Sequence, residues 1–348
     1  MESRKLQKVG YSTLSISLPS NWVKENDLKR GDNIFLLPEK GGTLKLFPSK
    51  SLKTTEGAEE YICNADLCDD PKMLERIIVG SYILGRDIFS IISSDRVRSD
   101  HVEEIRAIMP KLIGLGIVEE TPDKITLQCS VDPRKFQLDM LLRRLSIIAL
   151  TIVKESIQAL VESDDSIAKD AINREDEADM MYLLSMRLLV AAQRKREIAE
   201  EIRLADPSQI LYYGLMLKHL ELIADFAEET ALRVIELLKK YKEKVPKWVT
   251  EKMSNLNDLA HDLTLKAVDC FFMGDIKIAN SLLEMRTFIE LERDRLMKDL
   301  PEIPHLRLIL WNIARVADNG AAIALTAIND SLERKTKICS KRWSANFK

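Results

Sequence analysis

From about residue 135 onward, apolar side chains recur at every third or fourth position, and no other feature narrows the fold so far. The stretches "FQLDMLLRRLSIIALTIVKESIQALV" and "ILYYGLMLKHLELIADFAEETALRVIELL" both keep that period, which is the mark of an amphipathic helix. Breaks fall at Asp206-Pro207, Val245-Pro246, Gly274 and Pro301 to Pro304. They divide the region into about six long helices, in two groups of three split near Lys244, and such a set reads as an antiparallel bundle. Composition agrees: of 348 residues, 46% are apolar and 31% charged, with only 12 Gly and 11 Pro, as expected for a soluble, helix-rich protein with a real core. No apolar run approaches the ~18 residues of a membrane span, so no membrane insertion is expected. The opening "MESRKLQKVG" lacks the apolar region of a secretory signal. The five cysteines, Cys63, Cys68, Cys129, Cys270 and Cys339, form no CxxC pair. That argues against a zinc ribbon or disulfide framework and for a reducing cytoplasm.

Ahead of the helices the pattern changes twice. In residues 5–48, Leu14, Ile16 and Leu18 alternate with serines, the period of a half-buried strand. Pro19 stops that strand, and "NWVKENDL" has room for a turn or two of helix. Ile34 to Leu37 and Thr43 to Phe47 read as two further strands, joined by the Gly-rich hairpin signal "EKGG" from Glu39 to Gly42. In residues 57–132, "AEEYICN" and "RDIFSII" read as strands. "PKMLERIIVGSYIL" and "DHVEEIRAIMPKLIGLG" read as helices, the second ended by Gly114 and Gly116, and "GIVEE", "TPD" and "KITLQCS" as a closing hairpin. The order β-α-β-α-β-β predicts a small α+β sandwich. "GLG" closes a helix here instead of opening one, so it is not a phosphate-binding fingerprint.

The predicted organisation is therefore multidomain and mainly α: 1–50, 57–132, and two helical repeats at 135–244 and 246–340. Charge separates the parts. Residues 1–50 hold nine Lys and Arg against five Asp and Glu, while the remainder carries 43 basic and 50 acidic residues. A basic head on an acidic body implies different partners for each.

The head, with "SLPSNWV" and "DLKRGDNI", resembles the AbrB/SpoVT-like swapped-hairpin family, with Asp27 where that family often has glycine. The resemblance implies an interleaved homodimer, and duplex DNA as the family's commonest ligand. Arg4, Lys5, Lys8, Lys24, Lys29 and Arg30 are then the residues to meet phosphates, a contact that makes affinity salt-sensitive. A merely solvated charged loop is the competing reading. "GYST" departs from the DNA-binding members, many of which place an arginine there.

The helical body looks like PhoU, the regulator of phosphate uptake, built from two repeated three-helix bundles. Its signature of Glu or Asp followed by Asp four residues later falls on Glu175 and Asp179 in "AINREDEADMM", and on Glu221 and Asp225 in "LKHLELIADFAEET". Residues four apart share a helix face, so two neighbouring helices can aim four carboxylates at one point. The resemblance implies a metal there, drawn from Mg, Mn, Fe or Zn among oxygen-binding cations. The alternative is an ordinary solvated face. The second repeat has lost the pattern: Ala314 stands where an acid should be, Asp318 remains, and Arg286 and Glu290 occupy the other helix. Arg286 is expected to pair with Glu290 or Asp318, leaving at most one metal site per chain. Asp179 to Asp225 spans 18 residues more than Glu290 to Asp318, five turns at ~3.6 residues each, which lengthening both arms of the first hairpin would supply.

Together the three parts resemble archaeal PhoU-type regulators. The expected function is a phosphate-responsive, non-enzymatic transcriptional regulator of phosphate uptake. A cytosolic adaptor that restrains the phosphate ABC transporter, or its ATPase, without touching DNA is the alternative. His101, His219, His261 and His305 fall in no metal-ligand spacing, which counts against a metal phosphoesterase.

Overall fold

Where the 3.6-residue period runs longest, the chain is helical, and the helices begin and end at residues whose chemistry requires it. The computed structural model describes residues 3–9, 13–39, 43–48, 60–204, 206, 208–241, 245–333 and 338–339. The chain divides into two units, 1–59 and 60–348. Residues 40–42 of the expected hairpin turn, 57–59, Pro207, Lys244 and the end of the last expected repeat at 340 lie outside the described residues.

In the first unit, β1 (Gln7–Val9) pairs antiparallel with β2 (Thr13–Ser15), placing Lys8 opposite Leu14. Pro19 precedes α1 (Ser20–Glu25), as a residue without an N–H suits a helix start. The chain leaves α1 through Asp27, whose φ of 45° is in the left-handed region; aspartate accepts that conformation better than most residues. β3 (Ile34–Glu39) and β4 (Thr43–Pro48) form a second antiparallel hairpin. The two hairpins are separate two-stranded sheets. Leu6, Val9, Leu14, Ile16, Phe35, Leu36 and Leu44 are each more than half exposed, so this unit shields little of its own apolar surface.

The second unit begins with a four-stranded sheet. Its elements are β5 (Glu60–Asn64), α2 (Met73–Ile83), β6 (Ile88–Ile92), α3 (Ser99–Ile108), β7 (Leu115–Glu120) and β8 (Lys124–Cys129). The strand order is β5-β6-β8-β7, with β5 and β6 parallel and the other pairs antiparallel. Phe89, Ser90 and Ile91 of β6 are all buried, as a central strand demands. Leu74, Ile78, Tyr82, Ile105, Leu112, Ile125 and Leu127 complete this core. The expected order of elements holds, but the glycines do not end α3. The helix stops at Ile108 and passes into a 3-10 turn, Met109–Lys111, because Pro110 has no N–H to donate to the carbonyl four residues back. Gly114, at φ 78°, makes the turn into β7, and Gly116 lies inside that strand.

Seven α-helices follow among the described residues: α4 (Leu138–Glu162), α5 (Asp165–Arg194), the short α6 (Arg196–Glu201), α7 (Ser208–Tyr241), α8 (Lys247–Met273), α9 (Ile276–Asp299) and α10 (Pro304–Glu333). Asp164 caps α5, its carboxylate accepting from Ser166 N at 2.9 Å, and Asp275 caps α9 in the same way. The apolar faces of both repeats merge into one core that includes Leu142, Ile152, Leu220, Val234, Leu263, Ile309 and Ile323. By length and composition α10 could cross a membrane, but 67% of its apolar window is buried inside the bundle, which is where its apolar stripe goes. The 18-residue excess of the first repeat is also distributed differently from expectation. The connection runs from 195 to 207, against 300 to 303 in the second repeat. That connection, with α6 inside it, supplies half of the excess, and the arms of α5 and α7 supply the rest.

Gly320 of α10 sits where two helices come close together. A Cβ there would meet Thr264 Oγ1, would lie 2.7 Å from Leu263 Cδ2, and would lie 3.1 Å from Thr264 Cα in the α8 backbone. Alanine gains ~1 kcal/mol of helix propensity over glycine, but overpacking a filled core costs about 1–3 kcal/mol. Backbone cannot rotate away, so the clash wins. Gly320→Ala is expected to lower the melting temperature, whereas Gly80→Ala in α2, with open space around the new methyl, is expected not to.

Candidate functional site

The acidic motif of the first repeat lies on α5 and α7, where the 3.6-residue period places Glu175 above Asp179 and Glu221 above Asp225. Glu175 is 8% exposed, and Asp179, Glu221 and Asp225 are half-buried. Carboxylates so withdrawn from water need a cation or a proton. The cations come from lysines. Lys111 Nζ lies 2.7 Å from Asp176 Oδ1, 2.8 Å from Asp179 Oδ2 and 3.6 Å from Glu175 Oε2. Lys218 Nζ lies 2.6 Å from Glu221 Oε2, one turn away on the same helix. Glu175 and Asp179 thus share the Lys111 ammonium and Glu221 takes that of Lys218, while Asp225 feels Lys218 as a nearby charge.

The remaining strain appears in the proton affinities. Burial, followed by the Asp179 charge, pushes Glu175 up to about 8, against the pull of Lys111. Burial pushes Asp225 up to about 7, helped by the charges of Glu221 and Asp179 and opposed by Lys218. Glu228, one turn beyond Asp225, is raised mainly by burial. Burial would lower Lys111, but hydrogen bonds to Asp176 and Asp179 raise it above the ordinary lysine range. Lys111 therefore stays charged while Glu175 holds its proton near neutral pH.

The metal expectation was tested against these residues. Among the described residues, no group of three or more His, Cys, Asp or Glu is placed to hold a metal ion. An ammonium occupies the oxygen atoms that a divalent ion would need, and such an ion asks for about six oxygens. The donor set does not fit a metal while Lys111 is docked.

In the second repeat, Arg286 bridges the two helices, with Nε 2.8 Å from Asp318 Oδ1 and Nη1 3.0 Å from Glu290 Oε2. Both partners inferred from the spacing are used. Arg315 also reaches Asp318, at 3.5 Å, and Ala314 is buried where the missing acid would stand. His219 turns from the acids to tie the repeats together, its Nδ1 2.9 Å from Asn319 Oδ1.

Sequence reasoning missed Lys111, Asp176, Lys218 and Glu228. Lys218 was legible, three residues before Glu221 on one helix face. Lys111 was not, since it stands 68 residues from Asp179 in a turn of the preceding sheet domain. In the first unit, Arg4, Lys5, Lys8, Lys24, Lys29 and Arg30 are all exposed. Arg4 and Lys5 precede β1, Lys8 lies within it, Lys24 is in the last turn of α1, and Lys29 and Arg30 precede β3. The Lys29 N–H donates to Asp32 Oδ2 at 2.8 Å, fixing that turn.

All four acids of the first repeat fall within one recognisable segment. Residues 142–234 match the PhoU domain family. The second repeat, with its arginine, lies outside the matched residues. The crystal structure of PhoU from Pseudomonas aeruginosa aligns over 55% of this chain and 93% of that chain, with TM-score 0.47 and 18% identity. No curated protein matches the sequence.

The raised carboxyls predict a pH dependence. Their folded-state values exceed the ~4 of an unfolded carboxyl, so the native state holds protons that the unfolded chain has released. That contribution is fully present below about pH 4 and is lost as pH rises through about 7 to 8. Asp225→Asn keeps the shape and never ionises. Its melting temperature is expected to exceed that of the parent at about pH 8 and to converge with it at about pH 5, measured by calorimetry at both values.

Proposed function

We propose that this chain is a phosphate-responsive regulator of phosphate uptake that acts in the cytoplasm, senses through the helical body and binds duplex DNA as a homodimer through residues 1–50. The observation that carries the regulatory reading is the PhoU domain match over residues 142–234, which contains both acidic pairs. The dimer reading is supported by the first unit, whose two hairpins leave seven large apolar side chains more than half exposed. A chain this short, with no disulfide or metal, rarely buries enough apolar surface alone, and a second copy of the same hairpins is the natural cover. The left-handed Asp27, at the position where the swapped-hairpin family often has glycine, fits the same reading. The six exposed cations supply the charge for phosphate contacts. No catalytic step and no metal are assigned to the body.

The domain match equally supports an adaptor that restrains the phosphate ABC transporter without touching DNA, so the test separates the two. Fluorescence anisotropy with duplex DNA, across a salt series, is expected to show binding that weakens steeply with salt. Replacing Lys5, Lys8, Lys29 and Arg30 with alanine is expected to reduce the slope by ~0.9 for each phosphate contact removed. Absence of DNA binding by the parent at low salt favours the adaptor. Sedimentation of the full chain is expected to give a dimer, and of residues 60–348 a monomer. A full-length monomer at micromolar concentration rules out the interleaved head.

A further inference from the structure

The sheet domain and the first helical repeat meet along α5, and the contacts at the two ends of that meeting differ in kind. At one end Arg187, 2% exposed, donates to the Tyr82 carbonyl at 2.7 Å and to Asp87 at 2.5 Å, and Arg194 donates to the Leu84 carbonyl at 2.6 Å. These bonds go largely to backbone oxygens, whose charge never changes. At the other end, about 12 to 18 Å from Arg187 along the helix at 1.5 Å per residue, the contact is Lys111 with Glu175, Asp176 and Asp179. Every group there is ionisable, and the strength of the contact depends on which carboxyls hold protons.

Lys111 is presented to α5 by built structure. It closes the 3-10 turn that Pro110 imposes after α3. Leu112, next to it, is 1% exposed in the core of the sheet domain, and the Tyr82 hydroxyl donates to the Ile113 carbonyl at 3.0 Å. The second repeat meets the same electrostatic need from within, through Arg286. In both repeats, then, a protein side chain stands where a cation is needed, and only in the first does it come from another domain.

We propose that the acidic motif of α5 is the receptor for Lys111: a tethered ammonium fills the cation position and latches the sheet domain to the first helical repeat. The arginines at the far end are the permanent anchor, and the lysine is the releasable end. This inference stands apart from the proposed function and holds for either reading of it.

Hydrogen exchange on the full-length protein tests the latch, read on the backbone amides of Met109 and residues 111–115. Lys111→Met keeps the apolar stem and removes the charge, and the double variant Asp176→Asn with Asp179→Asn removes the receptor. Each is expected to speed exchange there by about tenfold, the effect of losing charge-assisted bonds to a half-buried ion. The combined triple variant is expected to exchange no faster than either, because all three substitutions break one contact. Lys111→Arg is expected to retain protection, and exchange around Arg187 is expected to stay slow in every variant. Should Lys111→Met fail to melt cooperatively, the double asparagine variant decides alone, as Asp176 is largely exposed. Exchange within about twofold of the parent in the asparagine variant overturns the latch. So does a parent protein whose residues 109–115 are released by added MnCl2, since the motif would then prefer a metal to Lys111.

Discussion

Half-buried carboxylates set the terms for the helical body. Turning acids inward on α5 and α7 gains nothing from the hydrophobic effect and removes them from the water that stabilises their charge. Each needs a cation or a proton, and the body uses both. Lys111 answers Glu175 and Asp179 and Lys218 answers Glu221, Glu175 and Asp225 bind protons well above the usual carboxyl range, and Arg286 closes the matching position in the second repeat. The apolar core shared by the two repeats determines how far these groups can move, since α10 packs on both α7 and α8. At Gly320 that packing is close enough to exclude a methyl group.

The unit formed by residues 1–59 illustrates the opposite problem. Among its described residues, large apolar side chains stand exposed on both hairpins. Its two hairpins do not pair with each other, so side chains with clear strand alternation end up in solvent. A hairpin is marginal on its own.

Much of the architecture was legible because its signals are local. The period of three to four residues marked the long helices, and alternation with Gly and Pro punctuation marked the strands. The order of elements around the four-stranded sheet followed from both. The errors are equally physical. Gly114 and Gly116 drew the end of α3 too late, because Pro110 had already stopped it. The extra length of the first repeat was assigned wholly to the helical arms, although half of it forms a connection with its own short helix.

By itself the sequence determined which acids share a helix face, because the α-helix repeats every 3.6 residues and Glu175 with Asp179, or Glu221 with Asp225, need no further information to align. It also narrowed the partners of Arg286 to Glu290, one turn along the same helix, or Asp318. Only the tertiary structure decided which charge answers the first pair. Lys111 reaches Asp179 across 68 residues, from a 3-10 turn held in a different core. No period or spacing encodes such a contact, because its geometry is set by how the sheet domain packs against α5.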